Sequence, residues 1–448
     1  MHNTEPSPDL HAFQSACAAE KRPLAFRAQC VRVEQKETKD GKPFFTCEFA
    51  DATGTMKLKA WSDNPSAGWC KAFAEALVHN GHSREAQLAC EAERVSSTVQ
   101  VTGTFSKGDF GVESNDWTTR PLTGDERAAF FLGSAELRAK QQRDYDDIVV
   151  FIQGMRDRHF QALCVRFLDE RGTEFRRAAA ARGHHHARPG GLVEHVAGMM
   201  RAAAALAAAY NVTLLSIQNP ESKIQNSVNR DLLLAGVLFH DCGKLNENQY
   251  RPDSFDMPFT PIAELLGHIP IGTLLVDKLW GQCEQRDVSA KLKAQMQRDG
   301  KTSAADAEPW PTDKLLHLLH LIVSHHGTKE WGSPTEPKTY EAILLHYVDN
   351  TDAKMEMLRD GFATAARVAP GITNRVYPFG HGLVETPGWM SNEADTEANR
   401  ASVQIYRQTI ESLHFKSEGN CVMKQEEIAV THFDDLRNEG ATTPEAQP

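Results

Sequence analysis

Apolar and polar residues alternate along the first hundred residues of the chain, then change to a helical spacing. Phe26 to Glu34, Pro43 to Ala50 and Thr55 to Trp61 each alternate at period two. Lys39-Asp40-Gly41-Lys42 and Asp51-Ala52-Thr53-Gly54 separate them as turns. A helical stretch from about Gly68 to Asn80 follows, then two more strand patterns near Gln87–Val95 and Thr98–Phe105. From about Thr123 the apolar residues recur at helical spacing over Asp144–Arg158, Gln161–Arg177, Arg230–His240, Leu265–Trp280, Lys314–His325 and Thr339–Leu358. Leu192–Tyr210 is apolar on most sides, which predicts a buried helix.

These patterns predict an α+β multidomain chain. Three meandering strands, a helix and two further strands match a small OB-type β-barrel over residues 21–122. A helical connector over 123–180 leads into an all-α bundle over 181–365. Gly281–Pro311 is polar and charged between two apolar helices and reads as an insertion. Residues 1–20, with Pro6, Ser7 and Pro8, read as a flexible N-terminus. Residues 366–448 form a C-terminal extension, with one helix expected at Ala401–Phe415 and a Thr/Pro/Glu-rich end expected to be disordered.

Composition narrows the class. At 448 residues, two or three domains are expected. No uninterrupted apolar run approaches the roughly 18 residues of a membrane helix, and the start has no secretory pattern. The nine cysteines contain no Cys-x-x-Cys pair, as expected of reduced thiols in a cytoplasmic protein. The net charge of −11 argues against indiscriminate coating of nucleic acid. Its distribution qualifies this: residues 391–448 hold five Lys/Arg against eleven Asp/Glu, whereas residues 21–120 hold 14 against 13. The N-terminal part can therefore still approach a polyanion.

Five separated stretches carry the chemistry: Gly190-Gly191-Leu192-Val193-Glu194-His195, Phe239-His240-Asp241-Cys242-Gly243-Lys244, Gly267-His268, Ser324-His325-His326-Gly327 and His346-Tyr347-Val348-Asp349. A single histidine among 19 is weak evidence, because most buried imidazoles are simply hydrogen-bonded. Placement is what matters. His240 and Asp241 close the apolar run Leu232–Phe239, and His325-His326 close another apolar helix. A buried helix ending in ionisable groups needs a partner for that charge. Imidazoles and carboxylates without cysteine suit a close pair of hard-to-borderline divalent cations, and such a pair activates water against a phosphate ester.

Gly-Gly-Leu-x-x-His, His-Asp-x-Gly-Lys, a later His, His-His-Gly and a final His-Tyr-x-Asp-Asn-x-Asp-Ala-Lys resemble the marks of the HD-domain superfamily of phosphohydrolases. Asn229 through Gly236, Gly332-Ser333-Pro334 with Pro337-Lys338-Thr339, and His346 through Met355 resemble more narrowly the YhaM-type 3′→5′ exoribonucleases, in which an OB domain precedes the HD domain. The resemblance covers roughly residues 20–360. It implies two divalent ions, with manganese favoured and iron, cobalt or magnesium as alternatives. It implies His195, His240, Asp241 and Asp349 as ligands of one, with Asp241 bridging, and His268, His325 and His326 as ligands of the other. Asp241, Lys244 and His268 would act on the substrate, Lys244 placing an ammonium near the phosphate. His185 and His186 would contact substrate, and Asn350, Asp352 and Lys354 would support the ligands or cap their helix.

In the third strand, Lys57, Lys59 and Trp61 share one face, with Phe44 or Phe45 of the adjacent strand available to join them. Charge for phosphates and a ring for bases suit single-stranded nucleic acid, although a solvated strand with an aromatic packed on a neighbouring domain reads the same way. The expected function is removal of nucleoside 5′-monophosphates from the 3′ end of single-stranded RNA, with single-stranded DNA as a second substrate. The alternatives are a phosphohydrolase of free or cyclic nucleotides, or a nucleic-acid-binding protein without catalysis. Homo-oligomeric assembly is left open, and no membrane partner is expected.

Overall fold

In the computed structural model of the chain, residues 5–80, 96–108, 111–181, 185–216, 227–250, 254–255, 257–299 and 310–386 are described. Their N-terminal part is a curled antiparallel sheet of β1 (Arg22–Glu37), β2 (Pro43–Ala50), β3 (Thr55–Trp61), β4 (Thr98–Gly108), β5 (Gly111–Glu113) and β6 (Thr118–Pro121). The order is β3-β2-β1-β4-β5, with β6 paired to β4. The first half of β1 pairs with β4 over Arg22–Gln29 and the second half with β2 over Gln29–Glu37. A bulge between Cys30 and Arg32 bends the strand where it changes partner, and the sheet curls into an OB-like half-barrel. Phe26, Phe49, Phe105 and Trp117 fill its interior, and α2 (Ala67–Asn80) packs on the same strands. The strand expected near Gln87–Val95 lies outside the described residues.

The N-terminus differs from expectation. Leu10–Ala16 forms helix α1, capped by Asp9 through the Ala12 amide at 2.7 Å. Leu10 and Phe13 are buried in the sheet core, with the Phe13 ring 4.4 Å from Phe26. Seven residues are too few for a helical period to stand out.

The remainder is helical: α3 (Gly124–Leu132), α4 (Ala135–Gln153), α5 (Arg158–Phe175), α6 (Gly191–Ser216), α7 (Arg230–Phe239), α8 (Lys244–Glu247), α9 (Pro261–Leu266), α10 (His268–Asp299), α11 (Thr312–Ser324) and α12 (Tyr340–Thr364). Every residue of α7 from Asp231 to Phe239 is buried, which explains its continuous apolar run. Over Gly191–Asn211, α6 is long and apolar enough to cross a membrane, contrary to the expectation from uninterrupted runs. Its window is 61% buried within the protein, and Glu194 and His195 lie inside, so it is a core helix.

The expected insertion begins as a continuation of α10, which runs unbroken from His268 to Asp299. The loss of apolar residues after Trp280 therefore marks a change of surroundings and no break in the helix. Trp310 returns against Trp280 at 4.8 Å. Its indole N–H donates to Asp287 at 3.1 Å. Beyond α12, a meander of β7 (Arg367–Ala369), β8 (Ile372–Val376) and β9 (His381–Val384) buries Val376 and Leu383 near Gly361 of α12. The helix expected at Ala401–Phe415 and the acidic end lie outside the described residues. Polar contacts join sheet and bundle, two of them through Gln29 and Lys107. The Gln29 side chain accepts from the Phe255 amide at 2.7 Å, and the Lys107 ammonium donates to the Ala363 carbonyl at 3.2 Å.

Candidate metal centre

Helix α7 starts on an Asn229 cap and ends by delivering His240 and Asp241 into the middle of the bundle. His240 Nδ1 lies 2.8 Å from the Val237 carbonyl one turn earlier. A carbonyl can only accept, so Nδ1 donates here and Nε2 is the atom turned towards Asp241. His325, at the end of α11, repeats this arrangement with the Ile322 carbonyl at 2.7 Å. His326 Nδ1 donates to the Trp331 carbonyl at 2.9 Å. On α6, His195 Nδ1 lies 2.7 Å from Asp352 of α12, which turns its Nε2 towards Asp349 at 3.3 Å. The Nε2 atoms of His195, His240 and His268 are buried without a hydrogen-bond partner. Buried polar atoms are rarely left so, and three of them facing one region fit a cation.

Asp241 lies between two groups of imidazoles. Its Oδ2 is 3.3 Å from His240 Nε2 and 2.6 Å from the Lys244 ammonium. Its Oδ1 is 3.4 Å from His268 Nε2 and 3.7 Å from His325 Nε2. In the trio His195, His240 and Asp241, and separately in the trio His268, His325 and His326, the potential ligand atoms lie within 4.8 Å of one another. One carboxylate thus reaches both sets. Gly243 makes this possible. A Cβ there would fall 1.9 Å from the His268 carbonyl oxygen, so only glycine lets the start of α10 approach Asp241.

The electrostatics favour ionised carboxylates at Asp241 and Asp349 and neutral imidazoles at His325 and His326. Burial opposes ionisation of Asp241, but Lys244 and His240 outweigh it and hold the carboxyl well below its usual range. Asp349 is likewise held low against burial, chiefly by His195 and His240. Burial and the neighbouring His240 keep His325 neutral. His195 is the exception. Burial disfavours its charge, yet Asp349 and Asp352 push its pKa up to about 9. A cation between Nε2 and Asp349 would supply that positive charge in place of the proton.

All seven expected metal-binding side chains come together: His195, His240, Asp241, His268, His325, His326 and Asp349. Their ring centroids form a chain, with His195–His240 at 5.4 Å, His240–His325 at 5.1 Å and His268–His326 at 5.2 Å. A cavity of about 230 Å³ opens on the cluster and is lined by Lys244, His185 and Asn350 among others. The Lys244 ammonium also donates to the Ala180 carbonyl, which fixes it beside Asp241. Lys354 is exposed, at roughly 200° of helical rotation from Asp352, so it does not stand behind the ligands as expected.

His185 and His186 separate in role. His185 lines the cavity, its ring 5.2 Å from His195, with a buried unpartnered Nδ1. With His195 and Asp349 it forms a further trio able to hold a cation. His186 is buried, with Nε2 3.0 Å from Asp352 and Nδ1 3.6 Å from Glu356, so it braces Asp352 and does not face a substrate. On the sheet, Lys57 and Lys59 point outward while Met56, Leu58 and Ala60 are buried. Trp61 pairs across strands with Phe44, ring centroids 5.0 Å apart, whereas Phe45 enters the core.

Three contributors were given no role from sequence. Glu194 is buried and accepts from Arg188 at 2.8 Å and Lys140 at 2.6 Å, which anchors the first turn of α6 beside His195. Its signal was a lone carboxylate in an apolar helix. His346 Nδ1 donates to the His325 carbonyl at 2.8 Å, and Trp331 lines the cavity. His346 lay in a quoted motif without a role, and nothing marked Trp331.

A bundle of helices that end in His and Asp around a cluster of imidazoles defines a class, and the comparison agrees: residues 192–354 match the HD domain family. Over most of its length it is similar to proteins named 3'-5' exoribonuclease YhaM. That of Oceanobacillus iheyensis is 27% identical over 359 residues, 80% of this chain and 91% of the relative. That of Geobacillus sp. is 29% identical over 344 residues, 75% and 84%. That of Bacillus subtilis is 29% identical over 342 residues, 75% and 86%. Each match extends well beyond the length of residues 192–354.

Proposed function

We propose that this protein is a metal-dependent 3′→5′ exoribonuclease that releases nucleoside 5′-monophosphates from single-stranded RNA. The observation that carries it is Asp241, whose two oxygens reach two separate groups of imidazoles. His195, His240 and Asp349 would hold one divalent ion and His268, His325 and His326 the other, with Asp241 shared. Bound there, such a pair supplies an activated water and neutralises charge developing on the phosphoryl oxygens. Lys244 brings an ammonium to the cavity wall, where it attracts the phosphate. Lys57 and Lys59, outward on β3, offer charge to the strand's backbone. The His/Asp donor set favours manganese. The seven described cysteines are buried and none is in a disulfide, in keeping with a reducing cytoplasm.

The test is digestion of 5′-labelled single-stranded RNA with Mn²⁺, Fe²⁺, Co²⁺ or Mg²⁺, with a DNA strand in parallel. A ladder shortening from the 3′ end, abolished by chelation, is expected. An intact oligomer beside hydrolysed free or cyclic nucleotides would favour the nucleotide phosphohydrolase and overturn the proposal.

A further inference from the structure

Trp331 is out of place for an apolar side chain: it is 60% exposed, yet it lines the cavity that opens on Asp241 and His326. Its backbone is held firmly. The Trp331 amide donates to Thr328 at 3.2 Å, and its carbonyl accepts from His326. The Ser333 hydroxyl, two residues on, donates to Val323 at 3.1 Å. Gly332, with φ +85°, closes this turn in the left-handed region. A ring held on a fixed turn at the mouth of a polar cavity loses little freedom on binding, which is what a stacking platform requires. His346 stands behind it at 6.0 Å between centroids, leaving the indole's outer surface uncovered by it.

We propose that the indole of Trp331 is the surface on which the base of the strand's 3′-terminal nucleotide stacks. This rests on the exoribonuclease reading above. With the scissile phosphate at Asp241, one ribose separates it from the terminal base, and Trp331 is the large aromatic on that cavity's wall. Every base has a π-face, so stacking here binds the end of any sequence.

The experiment compares wild type, Trp331→Ala and Trp331→Phe on a 5′-labelled RNA ending in adenosine and on the same strand ending in an abasic residue. For Trp331→Ala, KM on the adenosine-ended strand is expected to rise about 10-fold with kcat less affected, and Trp331→Phe should recover most of it. The gap between wild type and Trp331→Ala should close on the abasic end. A 3′-terminal 2-aminopurine, bound without metal, should be quenched by wild type and not by Trp331→Ala. An unchanged KM, or equal losses on both strands, overturns the proposal, because the second outcome means the turn and not the stack was disturbed. A wild type that shortens no strand defeats the nuclease reading itself, and this proposal with it.

Discussion

Asp352 stands behind the cavity lining, yet it decides which way His195 turns its Nε2. Its carboxylate also receives His186, so two imidazoles converge on one residue of α12. Partners of this kind set the orientation and basicity of a ligand. Asp352→Ala is expected to weaken Mn²⁺ binding by about 10- to 100-fold, read by calorimetry on the purified protein. An unchanged affinity would show that packing alone orients His195. Glu194 supports the same helix electrostatically. Burial opposes its ionisation, but Arg188 and Lys140 dominate and lower its pKa to about 2. A carboxyl depressed on folding stabilises above its unfolded pKa and loses that contribution as pH falls through the folded value. Glu194 therefore contributes on the order of 3 kcal/mol at neutral pH, lost between about pH 4.5 and pH 2. Urea midpoints should separate wild type from Glu194→Gln at pH 7 and converge towards pH 3. A constant gap would refute the assignment.

At the scale of elements, the centre depends on how closely the ends of α7, α10 and α11 approach. Gly243 sits where the chain leaving α7 passes the start of α10, with no room for a methyl group. Gly243→Ala should destabilise the fold by about 1–3 kcal/mol, as overpacking does. It should also lower bound metal, because α10 carries His268 away from Asp241. Thermal melts with metal analysis test both. A destabilised variant with full metal content would mean the neighbouring loop yields instead. These contacts explain which elements were readable from sequence. α7 was legible because burial leaves a continuous apolar run closed by His240 and Asp241, and α11 because its apolar residues recur at helical spacing up to His325. α1 was not, since Leu10 and Phe13 acquire meaning only against Phe26. The run of α10 past Trp280 was missed because polar residues on an emerging helix look like those of a loop.

For the whole molecule, the proposed function would divide binding on the sheet from chemistry in the bundle. Lys57 and Lys59 belong to the sheet, and the exposed Lys57 lies 3.8 Å from the half-buried Glu48, a surface pair of little energetic weight. If the strand tracks this face, each phosphate contact adds about 0.7 to the slope of log affinity against log salt. The double variant Lys57→Ala/Lys59→Ala should reduce that slope by roughly 1.4 while hydrolysis of a very short oligomer persists. An unaltered slope would place the RNA path elsewhere. The sequence by itself determined the two-part order of the chain and which imidazoles and carboxylates cluster, because residue type and helix-end placement are local properties. Only the tertiary structure decided that Asp241 serves both imidazole groups, that His186 is a buried brace and that Asp352 steers His195 from 157 residues away. Those outcomes depend on ångström-scale approach between distant segments, which no local pattern encodes.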